Sequence, residues 1–110
     1  MSKKKSCIQS QGLTVEFLEE ITMLLKMIAH PHRLKIIEII ERDEEVNVSS
    51  IVDEIQIPQS SVSIHLNQMK RMGLLKSSRS GREVRYRIDN PHVFRLLECI
   101  CRSYHEECND

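Results

Sequence analysis

The stretch QIPQSSVSIHLNQMKRMGLL, residues 56–75, has the spacing of a helix but an uneven polarity. Val62, Leu66 and Met69 recur at intervals of four and three, which puts them on one helical face. Pro58 breaks the chain before that face begins, so a helix starts at Gln59 or Ser60, and Gly73 supplies a C-cap. Gln59, Ser60, Ser61, Ser63 and His65 crowd its front, while Lys70 and Arg71 sit at its back. Small hydrogen-bonding residues at a helix start suit the reading of DNA. They also suit a polar surface helix, so the flanking sequence has to decide.

Downstream, the charge distribution favours DNA. The 110-residue chain has a formal net charge of zero, yet seven Lys and Arg residues between Ser60 and Arg87 face only Glu83. That leaves a local charge of +6 against −6 elsewhere. Neutralising phosphates needs a local positive footprint, which a neutral total does not exclude. The chain is 40% hydrophobic and 29% charged, as expected of one globular domain. No apolar run approaches the roughly 18 residues of a membrane span and no signal peptide opens the chain, so a cytoplasmic protein without a membrane partner is expected.

Residues 1–12 read as a mobile basic tail and residues 13–110 as the folded domain. Phe17, Leu18, Ile21, Leu24, Leu25 and Ile28 mark a first amphipathic helix with Thr14 as its N-cap. Pro31 opens a second helix, apolar at Leu34, Ile36, Ile37, Ile39 and Ile40, and His30 and His32 read as loop and cap residues beside it, with metal ligation as the alternative. Val48–Ile55 forms a third helix, joined by a four-residue kink to the stretch quoted above. Residues 74–78 and 84–88 then read as two strands around the turn in SRSGRE, with Val84, Tyr86 and Ile88 facing one way and Arg85 and Arg87 the other. Pro91 opens the last helix, which runs to about Glu107. The order α-α-α-α-β-β-α is mainly helical with one β-hairpin, a winged helix-turn-helix. The apolar faces of its first and last helices exceed what one subunit can cover, so a homodimer through them is expected.

Together, LLKMIAHPHRLKII, SSIVDEIQIPQSSVSIHLNQMKRMGLL and SRSGREVRYRI give residues 24–97 a resemblance to the ArsR/SmtB family of winged-helix transcriptional repressors. The resemblance implies a homodimer that binds operator DNA and leaves it when an inducer, commonly a metal or metalloid ion, binds. Read on the residues, the DNA-binding set is Gln59, Ser60, Ser61, Ser63, His65 and Lys70 on the helix, with Arg79, Arg82 and Arg85 in the wing. Ser60 reads equally as an N-cap. His65, off the apolar rhythm, also suits a hydrogen-bonding position between helices. Two-fold symmetry would space the paired helices about 34 Å apart on a palindrome.

Sensors of this family often carry a C-x-C motif for soft ions in the third helix, but here Asn47 and Ser49 stand at those places. A second family site, between C-terminal helices, maps onto Asn90, His92, Ser103 and Glu106, of which only His92 and Glu106 are usable ligands. The chain's own cysteines offer an alternative. Cys101, His105 and Cys108 fall at i, i+4 and i+7 on one face, Cys99 points elsewhere, and Cys7 could join from the tail. Thiolate with imidazole suits arsenite, zinc or cadmium. Free cysteines also serve as small buried hydrophobes, and a cysteine pair also serves oxidation or persulfide sensing. A small metal-buffering or redox protein that never touches DNA is the reading from another class. No catalytic triad or phosphate loop recurs at recognisable spacing, so an enzyme is not expected.

Overall fold

The computed structural model describes the backbone of residues 5–108 and the side chains of residues 5–106. Its order is α1 (Cys7–Ser10), α2 (Val15–Ile28), α3 (Pro31–Asp43), β1 (Val46–Asn47), α4 (Val48–Ile55), α5 (Gln59–Arg71), β2 (Leu75–Ser80), β3 (Glu83–Ile88) and α6 (Pro91–Cys108). This is the expected winged helix with two additions. Inside the segment read as a tail, the Ser6 hydroxyl accepts from the Gln9 amide and the Gln9 side chain accepts from the Ser6 amide. That reciprocal capping box closes the single turn α1. Residues 1–4 of the expected tail lie outside the described residues.

The second addition is β1. Val46 pairs with Tyr86 and Asn47 with Arg85, so the hairpin becomes an antiparallel sheet of order β1-β3-β2. Two residues carry no alternation, which is why the strand escapes a sequence reading. Asn47 also caps α4, its Oδ1 accepting from the Ser50 amide at 2.8 Å.

Helix α3 is the centre of the core. Ile36, Ile37, Ile39 and Ile40 are all fully buried, joined by Ile51 of α4, by Val62, Leu66 and Met69 of α5, and by Val93 of α6. Fully burying an aliphatic side chain of this kind contributes about 1.5–3 kcal/mol. The helix starts are fixed by caps that the sequence suggested: Thr14 Oγ1 accepts from Phe17 at 3.1 Å, and His30 Nδ1 accepts from His32 at 3.1 Å.

Three residues, Gln56, Ile57 and Pro58, join α4 to α5 in place of a four-residue kink. Gln56 makes the corner in the left-handed region, at φ 61°, a conformation that a residue with a Cβ adopts at some cost. At the far end of α5, the Leu74 amide donates to Met69 O and the Gly73 amide to Lys70 O. With Gly73 at φ 83° this is a Schellman ending. Among the described residues no helix is long and apolar enough to cross a membrane.

Candidate nucleic-acid interface

Helix α5 lies with Val62, Leu66 and Met69 inward. At about 100° per residue, Ser60, Ile64, Asn67 and Arg71 come out on the opposite side. All four are exposed, Ile64 by 56%. Ser61, Ser63 and His65 are half-buried on the flanks, while Gln59 and Lys70 are exposed. Pro58 occupies the N-cap position and no side chain closes the helix start. Ser60 therefore does not cap. While the Ser61 and Val62 amides donate to Pro58 O, those of Gln59 and Ser60 have no partner among the described residues and stay available to an acceptor, as an anion-binding helix start requires.

The flank carrying His65 faces α3 and is held by Arg33. Its Nε donates to His65 Nδ1 at 3.0 Å, one terminal nitrogen donates to Met27 O at 2.8 Å, and the other donates to Gln68 Oε1. One guanidinium thus ties the last turn of α2 and the start of α3 to the middle of α5. Burial, reinforced by the charge of Arg33 and by His30 and His32, pushes the His65 imidazole below its ordinary pKa. The boundary role read for His65 matches this geometry. Arg33 itself escaped the sequence reading, because its partners are 32 and 35 positions away. Ile64 and Asn67 were legible in principle, being the positions farthest round the helix from the buried set.

The wing turns at Gly81 and Arg82, between Ser80 and Glu83 of the last ladder pair. Gly81 takes φ 66°, as the first central residue of a type II′ turn does. Tyr86 is buried and Arg85 and Arg87 are exposed, as the alternation predicts. Arg85 is not free: its Nε donates to Glu83 at 2.8 Å, and Glu83 also accepts from Asn47. Those partners, Arg85 foremost, hold the Glu83 carboxyl below the usual carboxylate range. Lys70, Arg71, Arg79, Arg82 and Arg87 have no ion-pair partner among the described residues. Five cations without an ion pair among the described residues thus lie on α5 and in the wing, while Lys26 of α2 and Arg95 and Arg102 of α6 are likewise unpaired there.

Toward the C-terminus, Cys99 and Cys101 are exposed and line separate grooves on α6. His105 is exposed, its ring edge-on to Tyr104, and Cys7 is exposed in α1. The Cys108 side chain lies outside the described residues. Asn90 caps α6, with its Oδ1 2.9 Å from the His92 amide, and His92 packs edge-on against Phe17.

A three-helix core carrying an open-faced helix and a basic hairpin defines a winged-helix DNA-binding protein. The family model described as "Bacterial regulatory protein, arsR family" matches residues 30–77. The transcriptional repressor PagR of Bacillus anthracis is 41% identical over 83 residues, which cover 76% of this chain and 83% of PagR. Its crystal structure superposes with a TM-score of 0.71 at 39% identity, over 79% of this chain and 99% of that one. The chain belongs to the ArsR/SmtB family of DNA-binding transcriptional repressors. The cadmium resistance regulatory protein CadC of Listeria innocua is 30% identical over 71% of this chain and 66% of its own length. At 24% identity the antimony-specific repressor AntR shares the fold over the full length of both chains, with a TM-score of 0.85. These relatives are regulators of transcription, not enzymes, as the sequence reading anticipated.

Proposed function

We propose that the protein is a homodimeric repressor that holds a palindromic operator through α5 and the wing, and releases it when a thiophilic ion binds cysteines of α6. The carrying observation is that α5, with its outer face open, is followed directly by a wing in which Arg79, Arg82 and Arg87 have no ion-pair partner among the described residues. Ser60, Asn67 and Gln59 supply donors and acceptors for base edges, Ile64 an apolar surface for a thymine methyl, and Arg79 and Arg82 phosphate or minor-groove contacts.

Dimerisation is supported by shape. The radius of gyration is 16.5 Å, against about 13 Å for a compact chain of this length. Leu18 and Leu25 of α2 and Ile100 and Tyr104 of α6 lie exposed. Leu13, Phe17, Leu18 and Leu96 line an apolar groove of about 280 Å³ between those helices. A second copy would cover this surface.

The exposed thiols of Cys99 and Cys101, with His105 one turn beyond Cys101, support a soft-ion inducer such as arsenite, cadmium or zinc. CadC, by its name a cadmium-resistance regulator, is a relative of this chain. Cys99 and Cys101 stand about 200° apart round α6, so a disulfide between them within one helix is excluded by geometry. Thiol oxidation would have to recruit Cys7, Cys108 or the partner's thiols.

The test uses the reduced protein on a fluorescent duplex that it selects from a random-sequence pool. Arsenite, cadmium or zinc should release the duplex, and Cys101→Ser should abolish release without weakening DNA binding. Release by peroxide alone would move the switch to thiol oxidation. Retention under every one of these agents would remove the α6 cysteines from the mechanism.

A further inference from the structure

Three histidines from two separate elements converge where α3 meets α5. His30 precedes α3, His32 is in its first turn, and His65 stands on the inner flank of α5. One ligand-capable atom from each lies within 4.8 Å of the other two. Ring centroids are 4.8 Å apart for His30 and His65, and 5.2 Å for His30 and His32. No other trio of His, Cys, Asp or Glu converges in this way among the described residues.

We propose that His30, His32 and His65 bind one divalent cation of borderline softness (zinc, nickel or cobalt), which bridges the start of α3 to α5. Neutral imidazoles are the common ligands of such ions. Bonds of about 2.0–2.1 Å to a tetrahedral ion bring the ligand nitrogens to about 3.3 Å from one another. His30 and His32 are exposed, so rotation of their side chains closes the difference, and solvent supplies both the entry path and a fourth ligand.

The existing hydrogen bonds define what the ion replaces. The Nδ1 atoms of both His30 and His65 accept, from the His32 amide and from Arg33 Nε. Each neutral ring then carries its proton on Nε2. Ligation through Nε2 moves that proton to Nδ1, where it can no longer accept, so the ion exchanges with Arg33 on His65. Arg33 keeps Met27 O and Gln68. The link between α3 and α5 changes from a guanidinium to a metal bridge, which gives the reading helix a second control point apart from α6. That consequence rests on the function proposed above; the site itself does not.

The experiment uses the full-length chain with all four cysteines changed to Ser, titrated with Co²⁺ and followed by its visible d–d absorption. A saturable equimolar band without thiolate charge transfer is expected, displaced by Zn²⁺. His32→Gln and His65→Gln should each weaken binding by about 100-fold or more. His30→Asn should do the same while keeping a side chain able to cap α3, and unchanged helical circular dichroism guards against loss of fold. Absence of a saturable band, or a band that survives all three single substitutions, would overturn the site. DNA affinity of the metal-free chain, measured separately, reports on the interface alone.

Discussion

From the start of α3, the guanidinium of Arg33 ties α2 to α5. Its three hydrogen-bonded partners belong to α2 and α5, and the side chain is half-buried. Arg33→Met, which keeps most of the aliphatic volume, should lower stability by about 2 kcal/mol, the range for hydrogen bonds to a charged group, read by urea unfolding. Ser60 and Asn47 make a sharper contrast. Both precede or open short helices, but only Asn47 caps, so Asn47→Ala should cost about 1 kcal/mol and Ser60→Ala next to nothing. Any effect of Ser60→Ala should instead appear in DNA affinity. The sequence could place Val62, Leu66 and Met69 because their rhythm is local. It could not pair Arg33 with His65, nor assemble three histidines, because those contacts exist only after α3 and α5 have packed.

At the scale of elements, the helices were legible because caps, prolines and apolar periods agree over many residues. The hairpin was legible from strict alternation in VRYRI around a glycine turn. β1 was not, since its pairing with β3 is decided by the position of the sheet and not by its own two residues. One further device lies at the C-terminal end of α3. Arg42 bonds Asp43 and, through both terminal nitrogens, Glu54 of α4, and these contacts hold both carboxyls below their ordinary range. A carboxylate with a depressed folded-state pKa adds stability above its unfolded pKa, near 4, and loses it as pH falls through the folded value. The contribution should therefore be flat from pH 6 to 8 and decline in acid. In Arg42→Ala the acid limb of the urea midpoint against pH should become shallower. All three groups are solvent-exposed, so the effect is small at high salt.

The whole molecule is extended, with principal extents of 57 × 37 × 22 Å, and α2 and α6 carry apolar residues on their surfaces. The sequence revealed a surplus of apolar surface on those two helices, but a single chain does not contain the partner that would cover it. Leu18→Glu together with Ile100→Glu should yield a monomer by sedimentation velocity while leaving the helical circular dichroism intact. On the proposed dimeric reading of a palindrome, which takes two reading helices, the same variant should lose most of its affinity for the selected duplex. The most direct test of the central claim, that α5 and the wing form the DNA-reading surface, is duplex affinity as a function of salt. For wild type, Arg82→Ala and Asn67→Ala, it would be measured by fluorescence anisotropy on the selected duplex. Arg82→Ala should weaken binding and reduce the slope of log affinity against log salt by about one, and Asn67→Ala should weaken binding by about 1–3 kcal/mol with the slope unchanged. Wild-type affinity and slope in both variants would contradict the account.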